Sequence, residues 1–457
     1  MADGFPSAIF YNKFAFLLLY IALFRALYYN DSNKYRKGEN MSNLEKYIDL
    51  IKNYSKSSYS KLTREPMKRL KYPFIVPGAV YKYQLWDWDS WLTDVAIRQI
   101  ISDNNGAGEA EFFQCEKGCI LNFLDHIEED GKMPIMIDGE REYAFIKESL
   151  NAHKPCLAQH LAFILQQTDN DVSWFADKSE KLEAFMCWYR CTSRHKETGL
   201  YYFLDDTAIG VDNDPSVFYR PNGCTASVYL NALMYKELRA MAYVMEALGK
   251  AERADFYDTE AAELKDAINE HLYDEKCGMY FSADLNLVPI DPDRTLHSGK
   301  PRHWNCLIMR IDFWAGFMAL WAGIASPDRA ARVIEENMLN ERTFLGKYGI
   351  RSLSKLEKMH ANWPSGNPSC WLGPVWGITN YICFRALINY GYFAEAEALA
   401  ETVITVFGKD IENCGEMHEY YHPDTGDGIH NQGFQSWNLL VNNMIAWVEN
   451  REAVEEF

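Results

Sequence analysis

The sequence lacks the basic excess and the internal linkers that would place it in several large protein classes. Its 457 residues contain 46 Lys and Arg against 64 Asp and Glu, which gives a formal net charge of −18 at pH 7. Phosphate backbones need a basic surface, so this balance argues against a nucleic-acid partner. No Ser/Gly-rich or Pro-rich linker and no block of like charge divides the chain. We therefore expect one large domain that acts on a neutral or weakly charged ligand.

A disulfide framework is also missing. The 11 cysteines are odd in number and scattered, and several lie inside apolar helical runs, as Cys187, Cys191 and Cys383 do. This usage is typical of buried free thiols in a reducing compartment. Cys115 and Cys119 have a spacing that a metal site could use, but no second Cys/His pair accompanies them. We expect no metal and no cofactor.

A membrane span is not evident. The apolar run from Phe14 to Phe24 has eleven residues between Lys13 and Arg25, which is short for a span and closer to the core of a signal peptide. Three interpretations stay open, namely a dispensable extension over residues 1–40, a signal peptide and a signal anchor. The free cysteines favour a dispensable extension and a cytoplasmic location. The alternative is a secretory protein. The domain is then expected over residues 41–457.

Apolar residues recur at helical spacing through most of the chain, whereas the alternation typical of strands is scarce. Residues 378–388 and 393–407, for example, predict an antiparallel helix pair hinged at residues 389–391. Two short Gly-containing hairpins, at 197–202 and 274–281, follow helices about eighty residues apart. This repeat suggests helical hairpins arranged in a ring. Six of them need roughly four hundred residues, so we predict an all-α (α/α)6 toroid with long aromatic loops.

Two acidic loops carry the candidate chemistry. Residues 210–215 (Gly-Val-Asp-Asn-Asp-Pro) lie between aromatic segments and offer Asp212, although Asn-Asp-Pro is also ordinary turn chemistry. Residues 415–428 offer Glu419 about two hundred residues later. Glycoside cleavage needs one carboxyl to protonate the leaving oxygen and one carboxylate acting from the opposite face. Asp214 and Glu416 are the nearest rivals, but a turn or cap role is more typical of each.

A third stretch places three tryptophans and two aspartates within residues 86–91. A helix could bury such tryptophans as core. A sugar subsite would instead stack Trp on C–H faces and use Asp to accept from hydroxyls. His418 and His422 flank Glu419, but no third metal ligand with suitable spacing accompanies them.

With these motifs the chain resembles glycoside hydrolase family 63 and its relatives, the mannosylglycerate and glucosylglycerate hydrolases, and more distantly the family 37 trehalases. The resemblance covers about residues 66–448. It rests on the stretches 86–90, 210–215 and 419–426, and on Trp-Leu-Gly-Pro-Val-Trp at 371–376 followed by Asn-Tyr at 380–381.

The resemblance implies an (α/α)6 barrel with a pocket formed by loops at its wide end, and an inverting mechanism. Asp212 matches the general acid and Glu419 the general base. The residues expected to bind the substrate are Trp86, Trp88, Asp89, Asp214, Arg220, Trp371, Trp376 and Tyr420. Leu372, where the family usually carries Arg, and His-Lys-Pro at 153–155, in place of Gln-Pro-Pro, are departures on the side that holds the aglycone.

The expected function is therefore inverting hydrolysis of an α-glycoside, with glucose or mannose released from a small substrate such as glucosylglycerate or mannosylglycerate. We expect a raised pKa for Asp212, an ionised Glu419 and carboxyl groups about 6.5–9.5 Å apart. Alternatives are a trehalase, an oligosaccharide-processing α-glucosidase and, from another class, a non-catalytic carbohydrate-binding toroid. The acid pair argues against the last, since a binder needs neither acid. The oligomeric state stays open.

Overall fold

Helices make up most of the computed structural model, which describes residues 40–141, 149–287, 304–364 and 368–457. The α-helices of these ranges are α1 (Asn40–Ser58), α2 (Asp87–Asp103), α3 (Glu109–Asp125), α4 (Leu157–Gln166), α5 (Ser179–Thr192), α6 (Val228–Ala247), α7 (Ala251–His271), α8 (Met318–Trp321), α9 (Pro327–Arg332), α10 (Gly377–Asn389), α11 (Phe393–Cys414) and α12 (Val441–Val448). Short 3-10 segments precede α8 (Trp314–Phe317) and α12 (Ser436–Leu440), and a π-helical segment (Val333–Met338) follows α9. The predicted helical character is confirmed.

The strands are two or three residues long. They are β1 (Thr63–Arg64), β2 (Phe74–Ile75), β3 (Gln84–Trp86), β4 (Met136–Asp138), β5 (Thr225–Ala226), β6 (Tyr273–Asp274), β7 (Met279–Tyr280), β8 (Ala283–Asp284), β9 (Leu307–Ile308), β10 (Leu345–Gly346), β11 (Gly349–Ile350), β12 (Val375–Trp376), β13 (Tyr420–Tyr421) and β14 (Gly428–Ile429). They pair as β1-β2, β3-β4, β5-β8-β9, β6-β7, β10-β11 and β12-β13-β14. Strands this short show no alternation in the sequence, so the description all-α omits them.

One set of helices makes contacts in a closed order. Helix α2 contacts α4, α4 contacts α6, α6 contacts α8, α8 contacts α10, and α10 contacts the segment 436–448, which returns to α2. Within this order, α7 packs on α6, and α11 packs on α10 and on α1. The enclosed core is strongly aromatic, with Trp91, Trp314, Tyr229 and Tyr381 each less than 2% exposed. Large rings of this kind bury much apolar area and so stabilise a long chain.

Tight turns connect these helices as the sequence predicts. The hairpin at 274–281 forms through β6 and β7, and an antiparallel bridge joins Arg194 to Tyr201. Gly199 and Gly278 lie at the turns with φ of 73° and 60°, a region that favours glycine. Among the described residues no helix combines the length and the apolar character that crossing a membrane requires. The apolar run 14–24, on which the N-terminal alternatives depend, lies outside the described residues.

Candidate active site

One pocket gathers most of the residues predicted from the sequence. It has a volume of about 110 Å3 and is lined by Pro77, Tyr81, Trp86, Trp88, Asp89, Lys154, Ala208, Gly210, Asp212, Ser369, Trp371, Trp376, Glu419, Phe434 and Trp437. Seven of the ten predicted site residues are in this lining. Segments far apart in sequence therefore meet in a cavity whose walls are aromatic and whose polar groups are mainly carboxyls.

The Trp-Asp stretch enters the pocket at a strand-to-helix junction. Trp86 ends β3, paired with Met136 of β4, and α2 begins at the next residue. The turn presents Trp88 and Asp89 from the first turn of the helix, where they are 3% and 5% exposed. Trp91 faces the core instead, with its ring 6.4 Å from that of Trp321. Trp91 is thus a core residue, whereas Trp88 and Asp89 line the pocket, and their role in a sugar subsite stays a prediction.

Burial changes the protonation of Asp89. Its pKa is raised to about 8, first because burial penalises the charged form and then because the Asp87 carboxylate is close. Lys154 and a hydrogen bond from the Ser436 hydroxyl, 3.0 Å long, oppose this rise. The raised pKa favours the protonated form of Asp89 at neutral pH. Asp89 can then donate to a sugar oxygen, besides accepting from a hydroxyl as the sequence predicted.

Glu419 reaches the pocket from a small sheet. It immediately precedes β13, and its backbone N–H donates to the His430 carbonyl at 3.2 Å. The Asn431 amide donates to its Oε2 at 2.8 Å, and the side chain is 6% exposed. One carboxylate oxygen is thereby fixed by a side chain of the same loop.

Burial works against the expectation that Glu419 stays ionised. Its pKa is raised to about 7, chiefly by burial and in addition by the negative charge of Asp212, while the Asn431 hydrogen bond opposes the rise. The carboxyl therefore titrates near neutral pH. The effect of Asp212 on this pKa also shows that the two acids interact electrostatically across the pocket.

The loop that carries Asp212 is held by its neighbours. The Asp214 carboxylate accepts from the Ser216 N–H and hydroxyl at 2.8 and 2.7 Å, which closes a turn. The Asn213 side chain accepts from the Trp371 N–H at 2.8 Å and so ties this loop to the next wall of the pocket. Asp212 itself is half-buried and lines the cavity. In this motif Asp214 closes the turn, and Asp212, two residues earlier, lines the pocket.

Stacked rings form one wall. Trp371 and Trp376 lie parallel, with centroids 3.8 Å apart and planes 6° apart. Trp376 also pairs in register with Tyr420 across β12 and β13, and their rings stack at 4.6 Å. Backbone pairing therefore sets the position of this wall relative to Glu419, one residue before Tyr420.

Three residues predicted to bind the substrate are not in the pocket lining. Asp214 is used in its own turn. Arg220 pairs with Asp284 at 2.7 Å, outside the cavity. Tyr420 lies behind Trp376, and its hydroxyl donates to the Pro368 carbonyl. The structure thus gives these side chains contacts within the protein, and their direct binding role stays a prediction.

The sequence did not single out Lys154 as a site residue. Its side chain is 2% exposed, lines the pocket and lies 2.8 Å from Asp87 Oδ1. The available signal was the departure at residues 153–155, a lysine at a position where the resembling family carries none. Tyr81, Phe434 and Trp437 were missed as well, because isolated aromatics in short 3-10 segments and loops have no distinguishing pattern.

A helical fold whose pocket combines carboxyls with stacked tryptophans is the kind of site found in carbohydrate-active proteins. Residues 82–437 match the family described as the mannosylglycerate hydrolase MGH1-like glycoside hydrolase domain. The chain belongs to this family.

Known proteins agree with this assignment. A probable trehalase of Eremothecium gossypii is 25% identical over 56% of this chain and 34% of its own length, and a mannosylglycerate hydrolase of Thermus thermophilus is 26% identical over 50% and 48%. The chain thus spans a third to a half of the length of these two relatives. A crystal structure of a family 63 mannosylglycerate hydrolase from Thermus thermophilus, in complex with glucose, superimposes with a TM-score of 0.62. That match has 18% identity and covers 86% of this chain and 99% of the other, which shows the shared fold.

Proposed function

We propose that the protein is an inverting α-glycoside hydrolase that removes a terminal glucose or mannose from a small glycoside such as mannosylglycerate or glucosylglycerate. The observation that carries the proposal is the convergence of Asp212 and Glu419, from loops about two hundred residues apart, on one aromatic pocket. Family membership and the names of the relatives support the same class of reaction.

The residues divide the chemistry between them. The reactive form of this coupled pair is the one in which Asp212 holds a proton and Glu419 is ionised. Asp212 then protonates the glycosidic oxygen, and Glu419 removes a proton from the water that attacks the anomeric carbon from the other side. Glu419, whose pKa is near 7, is a stronger base than an ordinary carboxylate, because a raised pKa favours proton uptake. Trp88 and the edges of the stacked Trp371 and Trp376 line the space for the sugar ring.

The charge of the pocket suits a neutral terminal sugar. Three carboxyls, those of Asp89, Asp212 and Glu419, line it, and Lys154 is the one cationic side chain in the described lining. An anionic group on the terminal sugar would lie among these three carboxyls. A carboxylate on the aglycone, as in a glycerate, would instead have to lie away from these three carboxyls.

The closed order of helix contacts supports an (α/α)6 toroid. Six inner segments follow one another around the ring, namely α2, α4, α6, the segment 314–321, α10 and the segment 436–448. Helices α3, α7, α11 and α1 contact α2, α6, α10 and α12, respectively. We infer that α5 and α9 are the remaining outer partners. We further propose that residues 41–457 form a single domain with 1–40 as an extension. The 11 free cysteines support a cytoplasmic location.

The test is release of free hexose from mannosylglycerate, glucosylglycerate and trehalose by the purified full-length chain, each assayed separately. We expect release from one of the two glycerates. Hydrolysis of trehalose alone would replace the proposal by the trehalase alternative. Hydrolysis only of longer glucosylated oligosaccharides would favour the processing glucosidase. Sugar binding without any hydrolysis would favour the carbohydrate-binding toroid.

A further inference from the structure

Lys154 is held at both ends by one buried carboxylate. Its backbone N–H donates to Asp87 Oδ2 at 2.9 Å, and its Nζ lies 2.8 Å from Asp87 Oδ1. The side chains of Asp87 and Lys154 are 0% and 2% exposed. Asp87 thus fixes the direction of the lysine side chain, which runs to the pocket from the segment that precedes α4.

The ammonium keeps hydrogen-bonding capacity. Apart from the ion pair with Asp87, Nζ has no hydrogen-bond partner among the described residues. A lysine ammonium has three N–H donors, and leaving buried donors unsatisfied is costly. Since Lys154 is part of the pocket lining, an oxygen of a ligand in the pocket can satisfy these donors in place of water.

The ammonium lies close to Gly210, at the start of the loop that carries Asp212. A Cβ at Gly210 would lie 2.8 Å from Lys154 Cε, 3.2 Å from its Nζ and 3.3 Å from the Trp88 ring. Nζ also lies 5.5 Å from the Trp88 ring centroid. The ammonium therefore sits between Trp88, at the wall of the pocket, and the start of the loop that carries Asp212.

The charges around Lys154 decide which kind of oxygen it can bind. Asp87 balances its positive charge at 2.8 Å, and Asp89, with a pKa near 8, is mostly neutral at pH 7. This end of the pocket thus offers free donors with little net charge. A hydroxyl oxygen of a ligand can accept from these donors. A carboxylate of a ligand would lose its hydration without gaining a net positive partner, and it would face Asp212 and Glu419.

We propose that Lys154 donates a hydrogen bond to one hydroxyl of the terminal sugar and thereby restricts this subsite to neutral hexoses. The inference rests on the proposed function only in that the pocket must be a sugar site. Lys154 is a specificity residue here and takes no part in proton transfer.

The test is binding of glucose, mannose and their monodeoxy forms to the full chain by calorimetry or NMR titration. For one deoxy position the wild type should lose about tenfold to a hundredfold in affinity, the range expected for a hydrogen bond to a charged group. In the double variant Lys154→Met/Asp87→Asn the penalty at that position should vanish, and the penalties at other positions should persist. The double variant removes both charges, so no unpaired carboxylate remains buried.

The outcomes separate this inference from the proposed function. If neither hexose binds the wild type, the sugar pocket itself is wrong and both proposals fail. If the hexoses bind but the pattern of deoxy penalties is the same in the variant, the role of Lys154 is overturned while the sugar site stands. D-glucuronate should bind the wild type at least tenfold more weakly than glucose, and equal binding would overturn the restriction to neutral sugars.

Discussion

Glu419 should destabilise the folded protein at high pH, because a buried carboxyl ionises there at a cost. Burial and Asp212 raise its pKa from 4.5 to about 7. Each pKa unit corresponds to about 1.4 kcal/mol, so the shift amounts to about 3 kcal/mol. The folded state holds this proton more tightly than the unfolded chain does. The contribution of Glu419 to stability is therefore fully present below pH 4.5 and is lost as the pH rises to about 7.

Glu419→Gln removes the ionisable group and keeps an oxygen that can accept from Asn431. We expect the variant to gain up to about 3 kcal/mol in free energy of unfolding over the wild type at pH 8, and much less at pH 5. Urea unfolding of both proteins at the two pH values measures this difference. Glu129→Gln, at an exposed position, is the matched control and should show no such change between the two pH values. A difference between Glu419→Gln and wild type that is equal at pH 5 and pH 8 would refute the reasoning.

Three further predictions concern activity on the glycoside that the wild type hydrolyses. The acidic limb of the kcat/KM profile should have an apparent pKa near 7, since Glu419 must lose its proton to act as base; a limb near 4.5 would contradict this. Asp212→Asn and Glu419→Gln should each lower kcat at least about a hundredfold with the fold intact by circular dichroism, and near-normal turnover in either would remove its role. Gly210→Ala should impair turnover at least about tenfold, because its φ of 87° disfavours a side chain and its Cβ would meet Lys154; wild-type rates would show that the loop tolerates the displacement.

Local patterns predicted the helices well. The pair expected over 378–388 and 393–407 is present as α10 (Gly377–Asn389) and α11 (Phe393–Cys414). Helical periodicity appears within a few turns of helix, so the sequence of one segment is enough to predict that helix. The strand pairing of Trp376 with Tyr420 has no such signal, since each strand has two residues and its partner is distant.

The candidate site was predictable where a motif concentrates unusual residues and not where tertiary contacts decide. Asp212 and Glu419 stand in recognisable loops and do line one pocket. Arg220, by contrast, pairs with Asp284, a residue that nothing in the local sequence connects to it. The protonation of Asp89 depends on complete burial beside Asp87, and neither periodicity nor spacing shows it. Side chains whose role depends on packing thus need the structure.

The stereochemistry of the released sugar tests the central claim most directly. Proton NMR of the hydrolysis, started with an α-glycoside that the protein cleaves, distinguishes the anomeric signals of the free hexose before mutarotation mixes them. If Asp212 and Glu419 act from opposite faces with a water between, the β-hexose appears first. Initial release of the α-hexose would mean retention through a glycosyl-enzyme intermediate, and it would contradict the assignment of Glu419 as the base that activates water.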